Sequence, residues 1–194
     1  MNDKKDFEVI NSVLKGKQEE FGELISRYQD KAYRLSLGIV HDPVLAEEAV
    51  HLSFIKAYES LSKFKRGAKF STWFYRIVYN VSISQYRYEK KFSRNIEPGD
   101  VMDLNPEEIN DGINFLKTAE QQQYLALALE KLSPSESTLI RSYYLEDLDI
   151  DELIEITGLS RSNIKVKLFR ARKKIYQELE NLLKDEVLSL IEQA

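Results

Sequence analysis

Residues 149–179, DIDELIEITGLSRSNIKVKLFRARKKIYQEL, restrict the fold more than any other stretch of the chain. They read as two short helices joined by a tight turn. Asp149 can cap the first helix, with Glu152 three places on to close a capping box. Gly158 suits a helix C-terminus, because left-handed φ/ψ costs glycine nothing. Ser160 then caps the second helix, with its hydroxyl free to accept from the backbone N–H of Asn163. Ile164, Leu168, Ala171, Ile175 and Leu179 recur at three- and four-residue spacing and share one buried face. The opposite surface carries Arg161, Lys165, Lys167, Arg170, Arg172, Lys173 and Lys174, with no acid from 161 to 174. A helix-turn-helix lays such a second helix in the DNA major groove. A solvated basic face is the bland alternative, and the caps and turn weigh against it.

The formal net charge of −4 hides a segregation. Residues 1–94 hold 17 Lys and Arg against 12 Asp and Glu, and residues 95–136 hold 2 against 9. Residues 137–194 hold 9 against 11, with the bases gathered on the second helix of the turn motif. Nucleic-acid binding depends on where charge sits, and here two basic surfaces flank an acidic connector. The chain has no cysteine, so disulfides and thiolate metal sites are excluded and a reducing compartment fits. MNDKKDFEVI lacks a signal-peptide core, and no apolar run approaches the ~18 residues of a membrane span. A soluble, cytoplasmic protein without membrane insertion is expected.

Along the chain, Asp6 to Gly38 reads as helical, with breaks near Gly16 and Gly38. Asp42-Pro43 starts the next helix, since Asp caps and Pro suits the first helical position. That helix should run to about Leu61, burying Ala46, Val50, Phe54, Ala57 and Leu61. Its other side carries Glu47, Glu48, His51, Leu52, Ile55 and Glu59, which fits either further packing or a docking surface. Residues 62–94 then hold nine Lys or Arg and one acid among Phe64, Phe70, Trp73, Phe74, Tyr75, Tyr79, Tyr86, Tyr88 and Phe92. Unpaired bases offer rings a stacking partner worth ~1–3 kcal/mol each, which a duplex does not. Interleaved bases and rings therefore suggest a melted strand, although Trp73, Phe74 and Ile77 also suit a core. Residues 95–118 are acidic and broken by Pro98-Gly99 and Asn105-Pro106, the composition of a flexible tether. A helix resumes over 119–132, and Ser133-Pro134-Ser135-Glu136 starts another that should carry Leu139, Ile140 and Tyr143 into the turn motif's core. The expected fold is all-α: two small helical domains, 1–94 and 119–194, joined by an acidic linker, the C-terminal one a helix-turn-helix.

Catalysis finds no support in the residues. There are two histidines, His41 and His51, no cysteine and no phosphate-cradling Gly-Lys motif. Glu47-Glu48 and Glu107-Glu108 are adjacent pairs that point to different sides of a helix and do not converge as an acid/base couple. Neither a metal nor a cofactor is expected.

Three blocks, DPVLAEEAVHLSFIKAY, FKRGAKFSTWFYRIVYN followed by Arg87, and LSPSESTLIRSYYLEDLDIDELIEITGLSRSNIKVKLFRARKKI, occur in this order around the acidic stretch. In this the chain resembles the bacterial extracytoplasmic-function (ECF) sigma factors over about residues 8–183. The resemblance implies a non-enzymatic, dissociable specificity subunit that directs RNA polymerase core to promoter DNA and is often held inactive by an anti-sigma factor. It places contact with the polymerase clamp helices on Glu48, His51, Leu52, Ile55 and Glu59. It places the melted minus-ten strand on Lys63, Lys65, Arg66, Gly67, Lys69 and Asn80, with Arg76, Arg87 and Lys90 near phosphates. The duplex minus-thirty-five element falls on Arg161, Ser162, Asn163, Lys165, Val166, Phe169 and Arg170, with Arg172 and Lys173 on the backbone.

The chain departs from the family pattern at several places. His51-Leu52 stands for the usual Gln-Glu, Gly67 sits one place late, and Ser84 stands for Asp. Val166 replaces a Ser, and Ile154 replaces a small Ala at the helix crossing. Two other readings compete: a stand-alone helix-turn-helix regulator whose N-terminal domain dimerises, and a protein–protein adaptor with basic faces.

Overall fold

The computed structural model describes residues 2–65, 69–92 and 119–192. Every regular element among them is helical. Helix α1 spans Asn2–Leu14, α2 Phe21–Val40, α3 Pro43–Ser60 and α4 Phe70–Phe92. Helices α5 (Ala119–Glu130), α6 (Pro134–Ile140), α7 (Ile150–Thr157) and α8 (Arg161–Glu192) follow. The acidic stretch 95–118 lies outside the described residues.

Helices α2, α3 and α4 form the first core. Leu24, Ala46, Ala57, Phe74 and Val78 are fully buried there. Phe54 stacks on Phe74 with ring centroids 4.4 Å apart. Asp42 caps α3 as expected, its carboxylate accepting from the Leu45 N–H at 2.9 Å ahead of Pro43. Ala46, Val50, Phe54 and Ala57 of α3 are buried as expected, and so is Leu61 in the 3-10 turn just past its end. Helix α1 is pinned to this bundle by Asp6, whose buried carboxylate accepts from the Arg27 guanidinium and the Tyr28 hydroxyl.

The expected break at Gly38 does not occur. Helix α2 runs through it to Val40 and ends on His41 in the left-handed region (φ 57°). Gly38 instead permits a close approach: a Cβ there would lie 2.7 Å from Arg141 Cδ and 3.2 Å from Ser137 Oγ. A residue that reads as a breaker is a contact point between helices distant in sequence.

The second core packs α5, α6 and α7 on α8, around Leu129, Leu139, Leu153, Ile164, Leu168, Ala171 and Ile175. Leu139 and Ile140 are buried as expected, but Tyr143 is 37% exposed. The cause is local: Arg141–Leu145 forms a π-helical turn, and the wider turn rotates Tyr143 off the inward face.

The two units touch. Ile156 of α7 is 1% exposed and belongs to the first core, and Leu148 borders both. Glu146 meets Lys31 Nζ at 3.0 Å and Arg34 Nε at 2.7 Å. Lys69 reaches Glu152 at 2.7 Å. In the structure the chain is clasped shut.

Candidate nucleic-acid interface

Two capping boxes build the helix-turn-helix. Ser133 and Glu136 exchange side-chain and backbone hydrogen bonds at the start of α6, and Asp149 and Glu152 do so at the start of α7. Gly158 ends α7 at φ 72°, and its N–H donates to the Ile154 carbonyl at 2.8 Å. The Ser160 hydroxyl accepts from the Asn163 N–H at 3.3 Å at the start of α8. Each side chain does what its position in the sequence predicts, because all these partners lie within four residues.

Helix α8 then presents its outer face. Arg161, Ser162, Asn163, Lys165, Val166 and Arg170 are exposed, and Phe169 is half-buried. Val166, at 47% exposure, puts a bare aliphatic group where a hydroxyl would suit a base edge. Arg161 is held at the turn by Asp151. Two backbone candidates behave differently. Arg172 is turned back, donating from Nη1 to the Tyr144 hydroxyl at 3.0 Å, while its Nε finds no partner among the described residues. Lys173 is 3% exposed although it lies opposite the core stripe, so its ammonium is not on the accessible face. Lys167 and Lys174 are half-buried. The accessible basic surface of α8 is therefore narrower than seven residues.

The second basic surface runs along α4. Arg76, Asn80, Ser84 and Arg87 recur at four- and three-residue steps and are all exposed, so they form one stripe. Lys90 is exposed near its end, with Nζ 5.3 Å from the centre of the Tyr86 ring. Lys63, Lys65 and Lys69 are exposed before the helix begins, while Arg66 and Gly67 lie outside the described residues.

The rings that suggested a stacking surface divide sharply. Phe70, Phe74 and Tyr75 are buried, and burial pushes the Tyr75 hydroxyl well above the usual tyrosine range. Trp73, Tyr79 and Tyr86 are half-buried, and Tyr88 is exposed. Most of the aromatic density is core, packed through Phe70–Phe74 at 5.9 Å and Tyr28–Phe70 at 5.3 Å.

On α3, Glu47, Glu48, His51, Leu52, Ile55 and Glu59 are all exposed, and Val44 (73%) and Tyr58 (38%) join them. A side with Ile55 at 54% and Leu52 at 38% is an unpacked apolar stripe rimmed by charge, which excludes the reading of further core. Val44 and Tyr58 could have been found by continuing the same helical period.

Among the described residues no group of three or more His, Cys, Asp or Glu side chains could hold a metal. No described helix is long and apolar enough to cross a membrane.

Glu146 and Glu152 each pair with basic side chains of the first unit across the contact. Burial alone would raise the Glu146 pKa, but hydrogen bonds from Arg34 and Lys31 hold it below the usual carboxylate value.

Comparison with known proteins gives a consistent picture. The model of Sigma-70 region 2 matches residues 24–92, and that of Sigma-70, region 4, matches residues 122–175. The ECF RNA polymerase sigma factor SigW of Bacillus subtilis is 28% identical over 182 residues, 89% of this chain and 96% of the relative. The RNA polymerase sigma-H factor of Pseudomonas aeruginosa is 25% identical, covering 95% of this chain and 99% of its own. Among solved structures, CnrH in complex with the cytosolic domain of CnrY has a TM-score of 0.62 at 19% identity, covering 89% and 96% of the two chains. The sigma factor RpoE in complex with the anti-sigma factor NepR from Bartonella quintana has a TM-score of 0.64 at 18% identity, covering 84% and 98%.

Proposed function

The chain belongs to the ECF sigma factors of the sigma-70 family, which direct RNA polymerase to promoters, and from that premise we propose a division of labour between its two basic surfaces. Domain 1–94 meets the polymerase through the α3 stripe of Glu48, His51, Leu52, Ile55 and Glu59. It meets the melted minus-ten strand through Lys63, Lys65, Lys69 and the α4 stripe. Domain 119–194 reads the duplex minus-thirty-five element through Arg161, Ser162, Asn163, Lys165, Val166, Phe169 and Arg170. The protein performs no chemistry of its own in this reading and works in the cytoplasm. A regulatory partner of the anti-sigma class fits it, since one structural neighbour is a sigma factor in complex with the anti-sigma factor NepR.

The observation that carries the proposal is the separation of two exposed basic faces onto two helical cores, each under its own family match. Distance adds a condition. Elements centred near minus ten and minus thirty-five are ~25 base pairs apart, or ~85 Å at 3.4 Å per step. In the clasped molecule Lys69 bonds Glu152, and the neighbouring Asp151 bonds Arg161, so the two surfaces nearly adjoin. The domains must part to read both elements. The 24 residues from 95 to 118 could reach ~80 Å at full extension.

The test is run-off transcription with purified core polymerase, with and without this chain, on a genomic promoter library. Promoter-specific products that need the chain are expected. Tight binding to a palindromic operator without polymerase, and no such products, would make it a stand-alone regulator.

A further inference from the structure

The match to Sigma-70 region 2 begins at residue 24, which leaves α1 outside it. Yet α1 is held by more than apolar packing. The Asp6 carboxylate is 1% exposed and engages both Arg27 and Tyr28, which fixes the rotation of the helix about its axis. One residue on, Phe7 is thereby brought to the start of the basic loop. Its ring stacks on Phe64 with centroids 5.9 Å apart and planes 23° apart. Phe64 lies between the exposed Lys63 and Lys65, and it also meets Phe70 edge-on at 5.8 Å and Trp73 at 5.2 Å. A row of rings thus leads from the first turn of α4 outward and ends on Phe7.

Phe7 is half-buried, so the residue keeps contact with solvent. Lys4, one turn earlier on the same helix face, is exposed, as is Lys5. No ion pair among the described residues occupies Lys4, Lys5, Lys63 or Lys65, although Glu8 is exposed on α1 as well. A partly exposed aromatic residue at the end of a row of rings, bordered by ammonium groups, is what an unpaired base and its phosphates require.

We infer that Phe7 is a further stacking contact for unpaired promoter DNA, extending the strand path from Lys63 and Lys65 onto α1, with Lys4 and Lys5 beside the adjoining phosphates. This rests on the reading of that basic segment as strand-facing.

The experiment uses holoenzyme assembled from core polymerase and the full chain, and a promoter fragment carrying a preformed single-stranded bubble. Phe7→Leu keeps an apolar side chain against Phe64 but removes the π-face, whereas Phe7→Tyr keeps both. Phe7→Leu should weaken bubble binding by roughly 5- to 140-fold, the range for one lost base–aromatic stack. Phe7→Tyr should bind as the parent does, and affinity for core should not change in either. The double variant Lys4→Ala, Lys5→Ala alters only exposed side chains, and at ~0.7 per single-strand phosphate it should make the slope of log affinity against log salt shallower by about 1.4 units. Equal binding by Phe7→Leu and the parent, or an unchanged salt slope, overturns the inference if Lys63→Ala, Lys65→Ala still weakens bubble binding. If that last variant also binds normally, the strand-facing reading beneath it is what fails.

Discussion

Replacing Ile156 with Ala should open the molecule without unfolding either half. Ile156 stands on α7 of the helix-turn-helix, yet its 1% exposed side chain lies in the core of the other unit. The substitution removes three carbons from that core, which at ~0.8 kcal/mol per buried methylene is ~2.4 kcal/mol. Nearly all of this falls on the contact between units, so the ratio of closed to open molecules should drop ~50-fold. The chain has no cysteine, so Gln29→Cys and Tyr176→Cys give clean attachment sites for a donor and acceptor dye on exposed positions of the two units. Energy transfer should fall in Ile156→Ala while the thermal transition of the helix-turn-helix stays in place. Leu153→Ala, fully buried in the second core, should do the reverse and lower that transition. If Ile156→Ala leaves energy transfer unchanged, or lowers the helix-turn-helix transition as Leu153→Ala does, Ile156 does not hold the units together.

Other outcomes follow from the same contacts. Gly38→Ala should raise the stability of the first unit by removing a mid-helix glycine penalty of ~0.5–1 kcal/mol, yet reduce energy transfer, because its Cβ would displace Arg141; a rise in both would show that the helices do not approach there. Asp6→Ala leaves the Arg27 guanidinium and the Tyr28 hydroxyl without their shared acceptor, and should lower stability by ~2–4 kcal/mol in a urea titration. Glu146 has a depressed pKa in the closed form, so its share of closure is present above the ordinary carboxylate pKa and is lost as pH falls from there through the lowered one; energy transfer followed from neutral pH down through the acid side of the ordinary carboxylate range should fall more steeply in the parent than in Glu146→Gln. Arg170→Ala should cost ~1–3 kcal/mol at one minus-thirty-five position if the side chain reads a base edge, and a uniform loss on every promoter in a binding array would make it a phosphate contact.

The parts of this fold legible in the sequence are those whose causes are local. The Asp149–Glu152 and Ser133–Glu136 boxes, the Asp42 cap and the Gly158 terminus all depend on partners within four residues, and each takes the expected form. Helical period alone placed Ile164, Leu168, Ala171 and Ile175 inside. What the sequence hid was set by contacts across the chain. Arg34 and Glu146 are 112 residues apart, and no periodicity records their pairing. Gly38 looked like a break because glycine usually ends a helix, while its use here is to admit Arg141. An ordinary α-helical period turns Tyr143 inward, and the π-turn interrupts that period. The aromatic run suggested a surface because composition cannot distinguish a ring facing α2 from one facing solvent.

The balance of forces at the contact between units bears on how a closed molecule can still serve a promoter. Its ion pairs are weakly held: Lys69 and Arg34 are 53% and 51% exposed, and pairs of that kind contribute about 0–1 kcal/mol each. Lys69 can therefore exchange Glu152 for a phosphate at little cost. The apolar contact of Ile156 is larger, and promoter DNA offers no replacement for it. Something that releases several kcal/mol on binding the first unit has to offset it, and the unpacked stripe of Leu52, Ile55 and Tyr58 on α3 is where an apolar partner surface could supply that energy. On the docking proposed above, this balance has polymerase engaging the α3 face before the units separate, with the two promoter elements read only afterwards. A chain whose α3 stripe carries Ile55→Asp should accordingly keep its closed form even with core polymerase present, and mixing the dye-labelled variant with core at increasing concentration is the direct measurement. Loss of energy transfer at the parent's core concentrations would show that opening does not depend on that face.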